Sequence, residues 1–150
     1  MPDWSKIGRR SRRKGKRFEC EVAAVLREWS GWRWDTTRNS GRTDLKGDVY
    51  AVLHGDRSPL IECKNRKISL KSFLTSPPAW LEAERVRVME TAEALGLPLA
   101  MFFIKVEGLM FFSVVYVLPV RTNDWWWIRN AQLDNPRGVR NGSEWHLIRG

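Results

Sequence analysis

Cysteine is scarce in this chain. Only Cys20 and Cys63 occur, one in a segment that reads as helix and one in a segment that reads as strand. Neither has the spacing of a zinc site or a disulfide framework, so both are expected as small core residues in a reducing, cytoplasmic setting. No apolar run approaches the roughly eighteen residues of a membrane span, and Leu99 to Ile104 is followed at once by Lys105. The first residues carry charge but no apolar h-region, so no secretory signal is expected. Histidine is limited to His54 and His146, which lack partners in the sequence and receive no role. Internal repeats, low-complexity tracts and an interdomain linker are missing as well. Acid is in deficit: 17 Asp and Glu stand against 26 Lys and Arg, a formal charge of +9 with a sequence pI near 10.2.

A field of that sign favours a polyanionic partner, with nucleic acid first. A basic membrane-surface protein is the competing class, but no strongly amphipathic basic helix with a bulky apolar face stands out at the N-terminus, so no membrane partner is expected. At 150 residues the chain is long enough for one domain with a real core.

The cations are concentrated. Residues 6–17 hold eight basic side chains and no acid, a flexible or partly helical arm over residues 1–17 that would contact phosphates without reading bases. Its DNA-contacting candidates are Arg9, Arg10, Arg12, Arg13, Lys14, Lys16 and Arg17; a solubilising tail is the plainer reading. From Lys16 to Trp29 the apolar positions Phe18, Val22, Val25, Leu26 and Trp29 recur at helical spacing. Glu19 lies beside that stripe, which suits either a third ligand or water-positioning acid, or a charge complementing the helix dipole.

Trp32 to Thr37 alternates large and polar residues as a strand does. The polar loop after it, Arg38 to Asp44, could present Arg38 and Arg42 to a phosphate, with Lys46 just beyond, or could be a plain connector.

The centre of the chain runs from Asp48 to Lys64. Two β-rich runs flank the turn-forming stretch His54 to Ser58, a hairpin with Asp48 opening the first strand and Glu62-Cys63-Lys64 closing the second. Side chains alternate along a strand, so Glu62 and Lys64 share one face while Ile61 and Cys63 take the other. If the register brings Asp48 beside Glu62, two carboxylates about 4 Å apart repel by roughly 4 kcal/mol at an effective dielectric near 20. Mg²⁺, which takes hard oxygen ligands including one or two carboxylates, would relieve that. Such an ion can acidify a water and neutralise charge on a phosphodiester, with Lys64 orienting the water or stabilising the developing charge. The competing reading is a surface ion pair on a solvated sheet face; Asp44-Leu45-Lys46 has the same acid-x-lysine form in a loop.

Beyond Lys64 the basic character continues in Asn65-Arg66-Lys67 and Lys71, until Ser76-Pro77-Pro78 interrupts. Ala79 to Leu95 reads as a helix stopped by Gly96-Leu97-Pro98. Leu99 to Val106 and Leu109 to Leu118 read as central apolar strands joined at Glu107-Gly108. Short edge strands are expected at Trp125 to Ile128 and Glu144 to Ile148. The nine tryptophans are expected to pack rather than to stack on bases.

Lys14-Gly15, Glu19, Arg38, Asp48 and Glu62-x-Lys64, in the order helix, strand, hairpin, helix, strands, resemble the PD-(D/E)xK nuclease superfamily. Gly47-Asp48 stands for its Pro-Asp element. Within it the chain is similar to archaeal-type Holliday junction resolvases, including phage relatives, over about residues 14–118. The resemblance implies an α/β, restriction-endonuclease-like fold, a mixed central β-sheet flanked by helices. It implies a homodimer making paired nicks, dependent on Mg²⁺ or Mn²⁺, in branched DNA, a four-way junction, in the cytoplasm of a prokaryote or a phage-infected host. Carried over, Asp48 and Glu62 match the metal-binding acids, Lys64 the catalytic lysine, Glu19 the helix acid and Arg38 the arginine near the scissile phosphate; Ser40 lies where relatives carry a functional hydroxyl. The metal set is taken as Asp48, Glu62, Glu19 and Cys63, and Arg66 and Lys67 join the DNA contacts. Cys20 departs from the arginine usual in archaeal resolvases, and residues 119–150, a tryptophan-rich extension packed on the same domain, have no counterpart there. A related nuclease acting on duplex or damaged DNA, or a basic DNA-binding protein without cleavage, are the alternatives.

Overall fold

The first helix begins well before its apolar stripe. The computed structural model describes residues 4–40, 47–52, 58–97, 99–116 and 145–148, and α1 (Trp4–Ser30) runs through 27 of them without a break. The basic run is therefore the first half of a helix, the helical of the two forms expected for it. Arginine and lysine are good helix formers because their straight stems lose little rotamer freedom there. The second half anchors the helix through Phe18, Val22, Ala23 and Leu26, each at most 4% exposed. Ser30 closes it: its hydroxyl donates to the Leu26 carbonyl at 2.7 Å and accepts from the Trp34 indole N–H at 2.8 Å.

The strand read over 32–37 contracts to β1 (Trp34–Thr36). Thr37 leaves it because its N–H donates to the Asp48 carbonyl at 3.0 Å and its hydroxyl to the Gly47 carbonyl at 2.9 Å. Those two bonds start a four-residue helix, α2 (Thr37–Ser40), where a loop was expected from Arg38 onward. The central hairpin is present as β2 (Val49–Ala51) and β3 (Leu60–Lys64), antiparallel, with Val49 opposite Ile61. Most of its turn lies outside the described residues.

After β3 a short helix not read from the sequence, α3 (Leu70–Thr75), is capped by Ser69, whose hydroxyl accepts from the Ser72 N–H. Next come α4 (Ala79–Ala94), β4 (Leu99–Val106) and β5 (Leu109–Tyr116), close to the boundaries expected. The β4–β5 connection is the two-residue turn Glu107-Gly108, with φ of 48° and 83°. Positive φ at both central positions matches the right-handed twist of the strands. Of the two edge strands expected near the C-terminus, β6 (His146–Leu147) pairs with β5. Trp125 to Ile128 lie outside the described residues.

These strands form one six-stranded sheet in the order β1-β2-β3-β4-β5-β6. The β3–β4 pair is parallel and the rest are antiparallel. The fold is thus an α/β, restriction-endonuclease-like one with a mixed sheet flanked by helices. One face packs Ile61, Met101, Phe103 and Phe112 against α1. The other packs Leu60, Phe102 and Ile104 against α3 and α4. Burial on both faces explains why β4 is a continuous apolar run rather than an alternating one. Trp29, Trp32, Trp34, Trp80 and Trp145 all pack against one core or the other, Trp145 edge-on to Phe73 at 5.6 Å.

Candidate active site

The Val49–Ile61 pairing carries one step further, which sets Asp48 opposite Glu62. The Asp48 N–H donates to the Ile61 carbonyl at 2.7 Å, and its Oδ2 accepts from the Cys63 N–H at 2.8 Å. The first continues the main-chain pairing of the hairpin and the second ties the carboxylate itself to β3, so the side chain is held by the strand beside it. Gly47 makes the approach possible. Its φ is +79°, and a Cβ there would lie 2.7 Å from the Ile61 carbonyl oxygen. Proline, held near −65°, could not adopt that conformation, which accounts for glycine in the Pro-Asp position.

Asp48 and Glu62 share a side-chain hydrogen bond, and the Glu62 carboxyl is pushed up to about 7. Burial is the largest cause, the Asp48 charge and that hydrogen bond come next, and Arg87 and Lys64 oppose them. Two carboxyl groups crowded together in this way favour a cation between them. Glu19 closes the site from α1. It is 3% exposed; its Oε1 pairs with Arg38 Nη2 at 3.2 Å, while its buried Oε2 has no hydrogen-bond partner among the described residues. Burial and then the Asp48 charge raise its pKa, and Arg38 and Lys16 lower it.

Around these groups is a cleft of about 310 Å³ lined by Lys14, Gly15, Glu19, Arg38, Asp48 and the run Glu62 to Asn65. The structure therefore brings together Glu19, Arg38, Asp48, Glu62 and Lys64, which are distant in sequence. Lys64 follows Glu62 on the same strand face, as alternation requires. Cys63 lies between the cleft and the core. Its side chain packs toward the α1 core, and burial holds the thiol well above its ordinary pKa. Cys63 meets Asp48 through its main-chain N–H.

The remaining candidates are dispersed. Arg9, Arg10, Arg12 and Arg13 are exposed on α1 beyond the cleft, and Lys16 faces Glu19 electrostatically. Arg17, Arg66 and Lys67 line a neighbouring groove, with Arg66 over the Trp80 ring at 4.6 Å. Ser40 ends α2, while Arg42 and Lys46 lie outside the described residues. Two participants were missed. Asn65 lines the cleft and donates its side-chain N–H to the Lys14 carbonyl at 3.4 Å. Arg87, paired with Glu84 at 2.8 Å, contributes positive charge at Glu62 and Asp48 from α4. Neither carries a sequence signal, because nothing in the α4 periodicity says that its polar face passes near β3.

The residues present fit a divalent cation: two carboxyl groups facing each other, and a buried carboxylate oxygen on Glu19 with no hydrogen-bond partner among the described residues. Among the described residues no closed cluster of three or more His, Cys, Asp or Glu side chains forms. Mg²⁺ suits such an open arrangement, since it usually keeps several waters and takes only one or two carboxylates. Among the same residues no helix is long and apolar enough to cross a membrane.

Residues 10–116 match the model of a protein family described as phage putative PDDEXK endonuclease. No curated protein and no solved structure matches the chain.

Proposed function

Because the chain belongs to the phage putative PDDEXK endonuclease family, a nuclease family of the PD-(D/E)xK type, we propose that it is a metal-dependent endodeoxyribonuclease whose active centre is the Asp48–Glu62 pair with Lys64, Glu19 and Arg38. The observation that carries this reading is the Asp48 and Glu62 carboxyl groups set opposite each other by the β2–β3 register, in one cleft with Lys64. PD-(D/E)xK nucleases generally use divalent metals. Asp48 and Glu62 would hold the ion, Mg²⁺ or Mn²⁺, with Glu19 reaching it through a retained water, and the ion would supply charge neutralisation at the phosphodiester and a more acidic water.

The chain's own groups do the rest. The Cys63 N–H fixes the Asp48 carboxylate, so its charge does not need to reorganise during reaction. Lys64 lines the cleft beside Glu62 and brings an ammonium to the reacting phosphate, where it orients the attacking water or stabilises developing negative charge. Arg38 is half-exposed and anchored at one end by Glu19, a placement from which its guanidinium can also meet a phosphate oxygen. Burial of Glu19 on the helix side limits water to the open side of the cleft.

The preferred substrate in this proposal is branched DNA, a four-way junction, cut by two copies of the chain acting as a homodimer in the cytoplasm of an infected host or other prokaryote. Support comes from the resemblance of Glu19, Arg38, Asp48 and Glu62-x-Lys64 to junction resolvases and from the charge of +9. Ser40, Arg42 and Lys46 are proposed to contact the strand near the cut.

The test is cleavage of a labelled four-way junction beside duplex, fork and single-stranded DNA, with Mg²⁺, Mn²⁺ or EDTA, comparing wild type with Asp48→Asn. Symmetric, metal-dependent nicks in the junction alone, lost in the variant, are expected. Cutting of all four substrates would keep the active centre and remove junction selectivity. Tight binding without cleavage in either metal would overturn the nuclease reading in favour of a DNA-binding protein.

A further inference from the structure

A second cleft lies beside the one that holds the carboxylates. It is a groove of about 480 Å³ between the middle of α1, the loop after β3 and the β4–β5 turn. The two share Lys14 and Asn65, and the Asn65–Lys14 hydrogen bond bridges the boundary between them. An extended anion leaving one cleft therefore enters the other.

The groove's walls and floor differ in chemistry. Arg17, Arg66 and Lys67 are exposed on its rim together with Lys14, and none of the four forms a salt bridge among the described residues. The floor is made by Phe18 and Ile68, at 1% and 5% exposure, which offer no side-chain donor or acceptor with which to read a base. At the far end the charge is cancelled or reversed. Lys105 is taken up by Glu21 at 3.1 Å, and Glu107 projects from the turn with no basic partner among the described residues. From Lys14 to Glu21 the helix rises about 10 Å at 1.5 Å per residue. That length accommodates about three nucleotides at the 3.4 Å rise of one strand.

We propose that this groove is the exit path of the cleaved strand, holding by charge alone the two or three backbone phosphates next to the scissile one. The inference rests on the nuclease reading for which bond is cut, but not for binding itself. Recognition here is independent of sequence, because phosphate contacts position a strand and carry no base information. The acids at the far end repel further phosphates and turn the strand away from the protein.

The experiment measures binding of fluorescein-labelled duplex and single-stranded DNA by anisotropy, in EDTA, over a range of salt concentrations. The full chain is compared with Arg17→Gln/Lys67→Gln and with a charge-matched pair outside both clefts, Arg33→Gln/Lys71→Gln. Each lost phosphate contact makes the slope of log affinity against log salt shallower by about 0.9 for duplex and about 0.7 for single strands. The groove pair is expected to lose about 1.8 and about 1.4, with affinity at least tenfold weaker, and the control pair less than half as much. Equal losses in the two pairs would mean long-range charge only and would overturn the groove. Should the double variant fail to fold, Lys67→Gln alone must still lose about one contact's worth of slope. Cleavage kinetics separate the two readings: if wild type does not cut, the nuclease reading fails while the slopes still decide the groove. If it cuts, the groove pair raises KM more than it lowers kcat.

Discussion

At the scale of single residues, the site stands on a carboxyl group that the fold holds against its preference for charge. Glu62 has its pKa at about 7 against an ordinary 4.5, chiefly through burial and then through Asp48. Because the folded value is the higher one, the protonated form is favoured by the fold. Its contribution to stability is complete below about pH 4.5 and is lost as pH rises through 7. In EDTA, the melting temperature of wild type should therefore fall, relative to Glu62→Gln, between about pH 5 and about pH 8; parallel curves would disprove the shift. Metal affinity should move the opposite way, strengthening with pH up to about 7, since a ligand must shed its proton to bind. Glu19 shows the same compromise: a buried oxygen with no hydrogen-bond partner among the described residues costs stability and is kept where chemistry can use it.

At the scale of elements, the β2–β3 hairpin sets the distance between the acids, and Gly47 sets the hairpin. Gly47→Ala would put a Cβ against the Ile61 carbonyl and force a left-handed backbone on a residue that resists it. The left-handed conformation alone costs about 1–2 kcal/mol, and the backbone contact adds to it. A loss of at least about 2 kcal/mol, seen as a fall of about 4–8 °C in Tm, is expected together with weaker cleavage. A neutral substitution would show that Asp48 does not depend on this turn. The helices were read with uneven success for physical reasons. In α4 sixteen residues rich in good helix formers run from a Pro-Pro segment to the Gly96-Leu97-Pro98 stop, whereas α3 has six residues and one buried side chain, Phe73, too few for a periodic signal. The basic half of α1 has no apolar stripe at all and is helical because it continues an anchored helix, which costs less than nucleating a new one.

For the whole molecule, charge and topology act together. The +9 charge is unevenly spread, with α1 and the loop after β3 forming the two basic walls that meet at the carboxylates. With about six phosphates neutralised, log affinity for DNA should fall against log salt with a slope near −5, so raising salt from about 50 to about 200 mM weakens binding about a thousandfold. A slope near −2 would mean that most of the helical cations point away from bound DNA. The parallel β3–β4 pair matters here too. It needs a crossover, and that crossover carries α4, with Arg87, back past the site.

What the sequence by itself determined are the features that depend on local pattern. The apolar strands at 99–106 and 109–116 with their two-residue turn, the stripe of α1 from Phe18 to Leu26 and the β-rich runs around Asp48 and Glu62 each follow from side-chain period and turn chemistry within a short window. Their acid and lysine types likewise pointed to phosphodiester chemistry, and the basic composition to a polyanion. Only the tertiary structure decided register and approach. Asp48 faces Glu62 because Val49 pairs with Ile61, Glu19 is buried because α1 crosses that end of the sheet, and Cys63 turns its thiol to the core and its N–H to Asp48. Arg87, Asn65 and the second groove depend on contacts between segments far apart in the chain. Such contacts leave no periodic trace, because each needs only one side chain in the right place once the fold has formed.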